Sequence, residues 1–183
     1  MINYVLLLLL SYFIGSFPTA YLFDRNIFRK GSGNMGAFNY LMTNKSLPGT
    51  LIVAVIDALK GVLIVLLSNY LVGTNMAIIL GVIAGIIGHD YSAWIGFKGG
   101  RGLALACGAL LLLEPLFLVM MSAVVLLFFF ITKDNVKAGL ISIPFLLVLA
   151  FVMNLPEYFF VMGLLSAVLI SHKDVIILVK RLK

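Results

Sequence analysis

Long apolar runs, separated by short loops that carry the cations, leave this chain few ways to fold. Seven such runs can be read, at roughly 2–23, 49–68, 75–90, 102–113, 115–132, 138–154 and 156–171. A bilayer-spanning helix needs about 20 apolar residues, within a range of about 17–25, and satisfies its own backbone hydrogen bonds where no water is present. Composition points the same way. The chain is 63% apolar and 11% charged, against about 45–50% and about 25% in soluble domains. The excess apolar surface has to meet lipid. The chain therefore reads as all-α, a single polytopic membrane domain over residues 1–183, with no linker or low-complexity segment to divide it. Residues 1–23 have no basic leading region and no A-x-A site, so they read as a span rather than a cleaved signal.

Charge decides the topology. The fourth run is short, and Glu114-Pro115 separates it from the fifth. Residues 102–132 could thus form a tight hairpin or one kinked crossing. Cytoplasmic loops are enriched in Lys and Arg. With the N-terminus outside and a hairpin at Glu114-Pro115, the inner face receives Arg25, Arg29, Lys30 and Lys45, then Lys98 and Arg101, then Lys133 and Lys137, then Lys173, Lys180, Arg181 and Lys183. That is twelve of the thirteen basic residues, Lys60 being the exception within a span. The single-crossing alternative would place Lys133, Lys137 and the basic tail outside. The sequence thus predicts seven transmembrane helices, an outer N-terminus and a cytoplasmic C-terminus. This placement accounts for the net charge of +6 without a nucleic-acid partner. Gly81, Gly85 and Gly88 suit close helix packing in lipid.

Two inner loops carry unusual chemistry. The first reads GSGNMGAFN, Gly31 to Asn39. Its glycines can expose backbone N–H groups which, with Ser32 and Asn34, are able to cradle an anion. A Gly-rich string alone equally makes a turn. The second loop reads GHDYSAWIGFKGGRG, Gly88 to Gly102. Lys98 and Arg101 alone would satisfy the topology rule, with Trp94 as an interfacial anchor. The four glycines around them are more than topology needs, and suit close approach to an anion. His89 borders the third run, where a histidine is either a bonded structural residue or a proton-transfer group. Asp57 and Lys60 lie three residues apart inside the second run, where charges are costly and usually paired. Two histidines and one cysteine offer no metal-ligand cluster. Neither a phosphate-binding Walker pattern nor a Gly-x-Ser-x-Gly elbow is present. Cys107 is alone in an apolar stretch and reads as packing.

Taken together, the loops resemble those of the PlsY family of membrane acyltransferases. The family pattern GSGNxGxTNxxR falls on GSGNMGAFNYLM, and GHxxPVFxxFKGGKGVA on GHDYSAWIGFKGGRGLA. A D-x-x-K-G falls on Asp57, Lys60 and Gly61, and His172-Lys173 followed by Lys180-Arg181-Leu182 is similar to a terminal HRxNxxRL element. The resemblance implies transfer of a fatty acyl group from acyl phosphate to glycerol 3-phosphate, giving lysophosphatidic acid, in a bacterial plasma membrane, with membrane lipid around it and no metal or organic cofactor. It implies His89, Lys98 and Asn34 as catalytic residues. Ser32, Gly33, Gly36, Asn39, Lys60, Gly99, Gly100, Arg101 and His172 would bind substrate. Several family positions differ here: Phe38 stands for Thr, Met42 for a phosphate-binding Arg, Ser92 for Pro, Arg101 for Lys, Gly139 for Ser and Val175 for Asn. The changes at 38 and 42 predict a weaker hold on a phosphorylated acceptor. They leave two alternatives, another hydroxyl acceptor or a non-catalytic lipid-binding protein.

Overall fold

The computed structural model describes Met1 to Leu182, with side chains at all positions except 172–174, 176–178 and 180–182. The helices are α1 (Ile2–Ser16), α2 (Thr19–Phe23), α3 (Ala37–Asn44), α4 (Leu47–Leu71), α5 (Asn75–Asp90), α6 (Leu103–Leu113), α7 (Pro115–Thr132), α8 (Asn135–Val152) and α9 (Glu157–Leu182). Among the described residues there is no β-strand, only an isolated bridge between Ser92 and Lys98. The chain forms two compact units, Met1–Ala109 and the part from Leu110 onward. Four helical stretches are long and apolar enough to cross a membrane: Ile2–Phe23, Leu47–Leu71, Pro115–Thr132 and Asn135–Val152. Asn75–Asp90, Leu103–Leu113 and Glu157–Ser171 are shorter apolar helices.

The first run is broken, which its hydropathy conceals. Pro18 has no N–H to donate and cannot continue a helix, so α1 ends at Ser16 and α2 restarts at Thr19. The Phe17 carbonyl at the break receives Thr19 N at 3.1 Å, and the second run supplies a further partner. Lys60 Nζ donates to the Phe17 carbonyl oxygen at 2.6 Å and to Asp57 Oδ1 at 2.6 Å. Thr19 Oγ1 donates to the same carboxylate oxygen at 2.8 Å. Asp57 and Lys60 are both buried. Inside a bilayer such polar groups are tolerated only when mutually satisfied. The pair staples α4 to the α1–α2 break, and both of its charges have structural partners.

Other boundaries shift for local reasons. Ser46 Oγ accepts from Gly49 N at 3.3 Å, and Pro48 sits in the first turn of α4, so that helix starts at Leu47. Glu114 leaves the helical conformation between α6 and α7, with φ −148° and ψ 73°, and Pro115 opens α7. Asp134 Oδ1 accepts from Val136 N at 2.9 Å and Lys137 N at 3.3 Å, which starts α8 three residues before the expected 138. The last helix does not stop with its apolar run but continues to Leu182.

In the first unit, α1, α4 and α5 pack on one another through small residues. A Cβ on Gly15 would collide with the Gly85 backbone, and one on Gly88 with the Tyr12 carbonyl. A Cβ on Gly61 would strike the Leu105 carbonyl, where α4 meets α6. The expected close-packing glycines thus serve contacts within the chain. In the second unit, α8 packs against α7 and α9. Its aromatic contacts are Phe117–Phe159, with ring centroids 5.0 Å apart, and Phe128–Phe145, at 4.9 Å. Leu116, Val119, Phe130, Ile131, Val148 and Phe151 remain exposed, the exterior expected of helices that face lipid.

Candidate active site

The Gly31–Asn39 loop is organised by one buried amide. Asn39 Oδ1 accepts from Ser32 N at 2.9 Å, while its Nδ2 donates to the Asn34 carbonyl at 2.7 Å and more distantly, at 3.4 Å each, to the Ile27 and Lys30 carbonyls. Asn34 continues the network. Its Oδ1 accepts from Gly36 N at 2.9 Å, and its Nδ2 donates to Ser32 Oγ at 2.8 Å. Gly33 has φ +68°, a left-handed conformation that suits glycine. Asn34 and Asn39 are buried, whereas Ser32 is exposed. The Ser32 oxygen accepts from Asn34, which leaves its proton to donate outward.

The approach to this loop is held by Asp24. Its carboxylate receives Lys30 Nζ at 2.7 Å, Asn44 Nδ2 at 3.1 Å and Asn26 N at 2.9 Å. The Lys30 hydrogen bond holds the Asp24 carboxyl below its ordinary range. Lys30 is thereby occupied in fixing the loop.

The second loop folds over the end of α5. Gly100 N donates to the His89 carbonyl at 3.0 Å, and Ser92 N donates to the Lys98 carbonyl at 3.1 Å. A Cβ on Gly99 would meet the His89 and Asp90 carbonyls, and one on Gly100 would enter the His89 ring. These two glycines are therefore required by packing as well as by any exposure of N–H groups. His89 is buried beneath them. Lys98 is exposed and Arg101 half-buried. Phe97 has φ +57°, a conformation rare for a bulky residue outside a constrained site.

The two loops touch. Met35 N lies 3.5 Å from the Gly99 carbonyl, which brings the Asn34–Gly36 segment onto the loop that presents Lys98. Of the expected site residues, Ser32, Gly33, Asn34, Gly36 and Asn39 lie in the first loop. Gly99 and Gly100, with His89 beneath, lie in the second between Lys98 and Arg101. Lys60 is instead engaged at the helix break. The His172 side chain lies outside the described ones. Sequence reasoning missed Ser16 and Tyr12, which hold the second loop from α1. Tyr12 donates its hydroxyl to the Tyr91 carbonyl at 2.8 Å. Both sit within an apolar run, where polar residues are the signal to look for.

The sequence model of the family described as Glycerol-3-phosphate acyltransferase matches residues 5–181. The chain belongs to this family. Among its relatives, Glycerol-3-phosphate acyltransferase 2 of Moorella thermoacetica is 47% identical over 118 residues, covering 62% of this chain and 60% of that protein. Glycerol-3-phosphate acyltransferase of Syntrophomonas wolfei is 35% identical over 173 residues, covering 91% of this chain and 87% of that one. The fold is similar to the crystal structure of PlsY, an integral membrane glycerol 3-phosphate acyltransferase, in its glycerol 3-phosphate form. The TM-score is 0.84 at 24% identity, covering 98% of this chain and 92% of that one. The lysophosphatidic acid form gives a TM-score of 0.80 at 24% identity, covering 93% and 87%.

As an acyltransferase of this family, the chain should not tolerate a side chain at the loop crossing. Gly100→Ala would push the loop off His89, and a misplacement of about 1 Å can cost about 10²-fold in rate. Steady-state acyl transfer by the purified variant, with its thermal unfolding in detergent, checks this. Activity within about twofold of wild type would show that the crossing can relax without consequence.

Proposed function

We propose that this chain transfers a fatty acyl group from an acyl phosphate to a hydroxyl of glycerol 3-phosphate, giving lysophosphatidic acid and inorganic phosphate. The observation that supports this reading is the contact of the two Gly-rich loops at Met35 and Gly99, which sets an exposed hydroxyl loop against a cationic one. The names of the relatives and the motifs of the two loops support the same acceptor.

The chemistry asks little of the protein beyond placement. An acyl phosphate is a mixed anhydride whose carbonyl is already activated. The acceptor hydroxyl oxygen attacks that carbon, the new C–O bond forms, and the bond to the phosphate oxygen breaks. Lys98 and Arg101 neutralise the charge that gathers on the phosphate and on the carbonyl oxygen. Ser32 donates its free proton to a substrate oxygen. Asn34, Asn39 and the glycines hold the loop so that the donor geometry is set before substrate arrives. His89, buried under Gly100, positions the second loop and relays the hydroxyl proton toward the departing phosphate. The fatty chain remains among apolar helices.

The reading is tested by mass spectrometry of lipids formed when purified protein is given an acyl phosphate and a panel of hydroxyl acceptors. Lysophosphatidic acid from glycerol 3-phosphate supports it. Product only from another acceptor would overturn the choice of substrate, and no transfer at all would overturn the reaction.

The proposed topology has seven spans, with the N-terminus outside and both loops on the cytoplasmic face of a bacterial plasma membrane. The charge distribution of the loops supports it. At about 1.5 Å per residue, the eleven residues of α6 extend about 17 Å, against a hydrocarbon core of about 30 Å. The span there thus draws on the residues flanking α6. In a Cys107-free background, cysteines placed at 115 and 180 should be labelled from opposite sides of the membrane. Labelling of both from one side would remove the hairpin.

A further inference from the structure

The second loop is bolted to the end of α1 by two buried hydroxyls that the proposed chemistry does not use. Ser92 Oγ donates to the Ser16 carbonyl at 2.5 Å, Ser16 Oγ lies 3.2 Å from Ser92 Oγ, and Ala93 N donates to Ser16 Oγ at 3.0 Å. Both serines are fully buried. From Ser92 the main chain closes a ring. Its N–H reaches the Lys98 carbonyl at 3.1 Å, and its carbonyl receives Phe97 N at 2.8 Å. That second bond holds Phe97 in its left-handed conformation, directly before Lys98. Tyr12, bonded to Tyr91, and Phe13, whose ring lies 6.1 Å from that of Trp94, fasten the same loop from the same helix.

We propose that Ser16 and Ser92 are positioning residues, a hydroxyl latch that fixes the pose of Lys98 by clamping the loop corner to α1. Neither touches substrate; both act through the Ser92–Lys98 ring. A corner of this kind can be held in two ways. Hydrogen bonds to a neighbouring helix hold it here. A proline would hold it by fixing φ near −65°, and Ser92 already has φ −69°. Proline at 92 would give up the N–H bond to Lys98 but stiffen the corner covalently. The latch and a proline are therefore two solutions to one constraint, so each should make the other dispensable.

The inference rests on the proposed function only for its kinetic arm. Hydrogen exchange read by mass spectrometry on the 91–101 segment needs no substrate. Ser92→Ala and Ser16→Ala should each exchange faster there, by about tenfold. Ser92→Pro should return the segment toward the wild-type rate. In acyl transfer from acyl phosphate to glycerol 3-phosphate, the two alanine variants should lose about tenfold in kcat with KM within about twofold, because Lys98 is displaced rather than removed. Ser16→Ala added to Ser92→Pro should cost almost nothing more. Unchanged exchange in both alanine variants would overturn the latch. A Ser92→Pro variant no better than Ser92→Ala in exchange and in kcat would overturn it as well. A wild type that transfers no acyl group would count against the proposed function alone, since exchange still decides the latch.

Discussion

Lys98→Ala should lower kcat/KM for acyl transfer by about 10²–10³, the scale of one lost donor at a developing oxyanion. The Lys98 side chain is exposed, and the loop is held through the Lys98 backbone carbonyl, which alanine retains. Stability should therefore change little while the rate falls. Lys98→Arg should recover part of the loss by keeping the charge, although a guanidinium presents its donors in a fixed plane. Lys133, in the second unit, supplies the control. Lys133→Ala removes a loop cation of the same topological class and should leave kcat/KM within about twofold. Equal effects from both alanine variants, or wild-type turnover by Lys98→Ala, would show that Lys98 serves only orientation in the membrane.

The helices were legible because the bilayer makes hydropathy nearly sufficient. Glu114-Pro115 was visible as an interruption, and the Asp57–Lys60 pair as a buried couple three residues apart. What escaped was whatever depended on a partner distant in sequence. The Phe17-Pro18 break is hidden inside an unbroken apolar run, and its stability comes from Lys60, 43 residues away. Helix α3 is eight residues long, and one short amphipathic stretch after a Gly-rich loop gives little periodicity to read. The loop motifs drew attention to residues that the fold also uses for packing. Gly99 and Gly100 read as bare backbone for an anion, yet a Cβ on either would first meet the end of α5. Asn39 was expected to bind substrate, and its buried amide is spent on Ser32 N and the Asn34 carbonyl, which anchors the first loop. Ser92 read as a lost proline, and no one-dimensional pattern says that Ser16 lies opposite it.

Helix α3 also bears on the acceptor. Phe38 and Met42 are one turn apart and both exposed, while Asn39 and Tyr40 are buried on the same helix. These are the two positions where the family pattern has Thr and a phosphate-binding Arg. A charge-assisted contact contributes about 1.5–3 kcal/mol, or roughly ten- to a hundredfold at about 1.4 kcal/mol per decade. Met42→Arg with Phe38→Thr should therefore raise kcat/KM for glycerol 3-phosphate by about ten- to a hundredfold, mostly through a lower KM. Both sites are exposed, so neither change opens a cavity or crowds a core. Helix propensity is not a barrier either, because Arg is a good helix former. The measurement is kcat/KM for glycerol 3-phosphate in wild type, in each single variant and in the double variant, at fixed acyl phosphate. A gain confined to variants that carry Met42→Arg would place the acceptor phosphate beside α3. Efficient wild-type turnover with no gain in any variant would mean that Lys45 or another cation already holds the phosphate, and that the apolar face of α3 serves another surface.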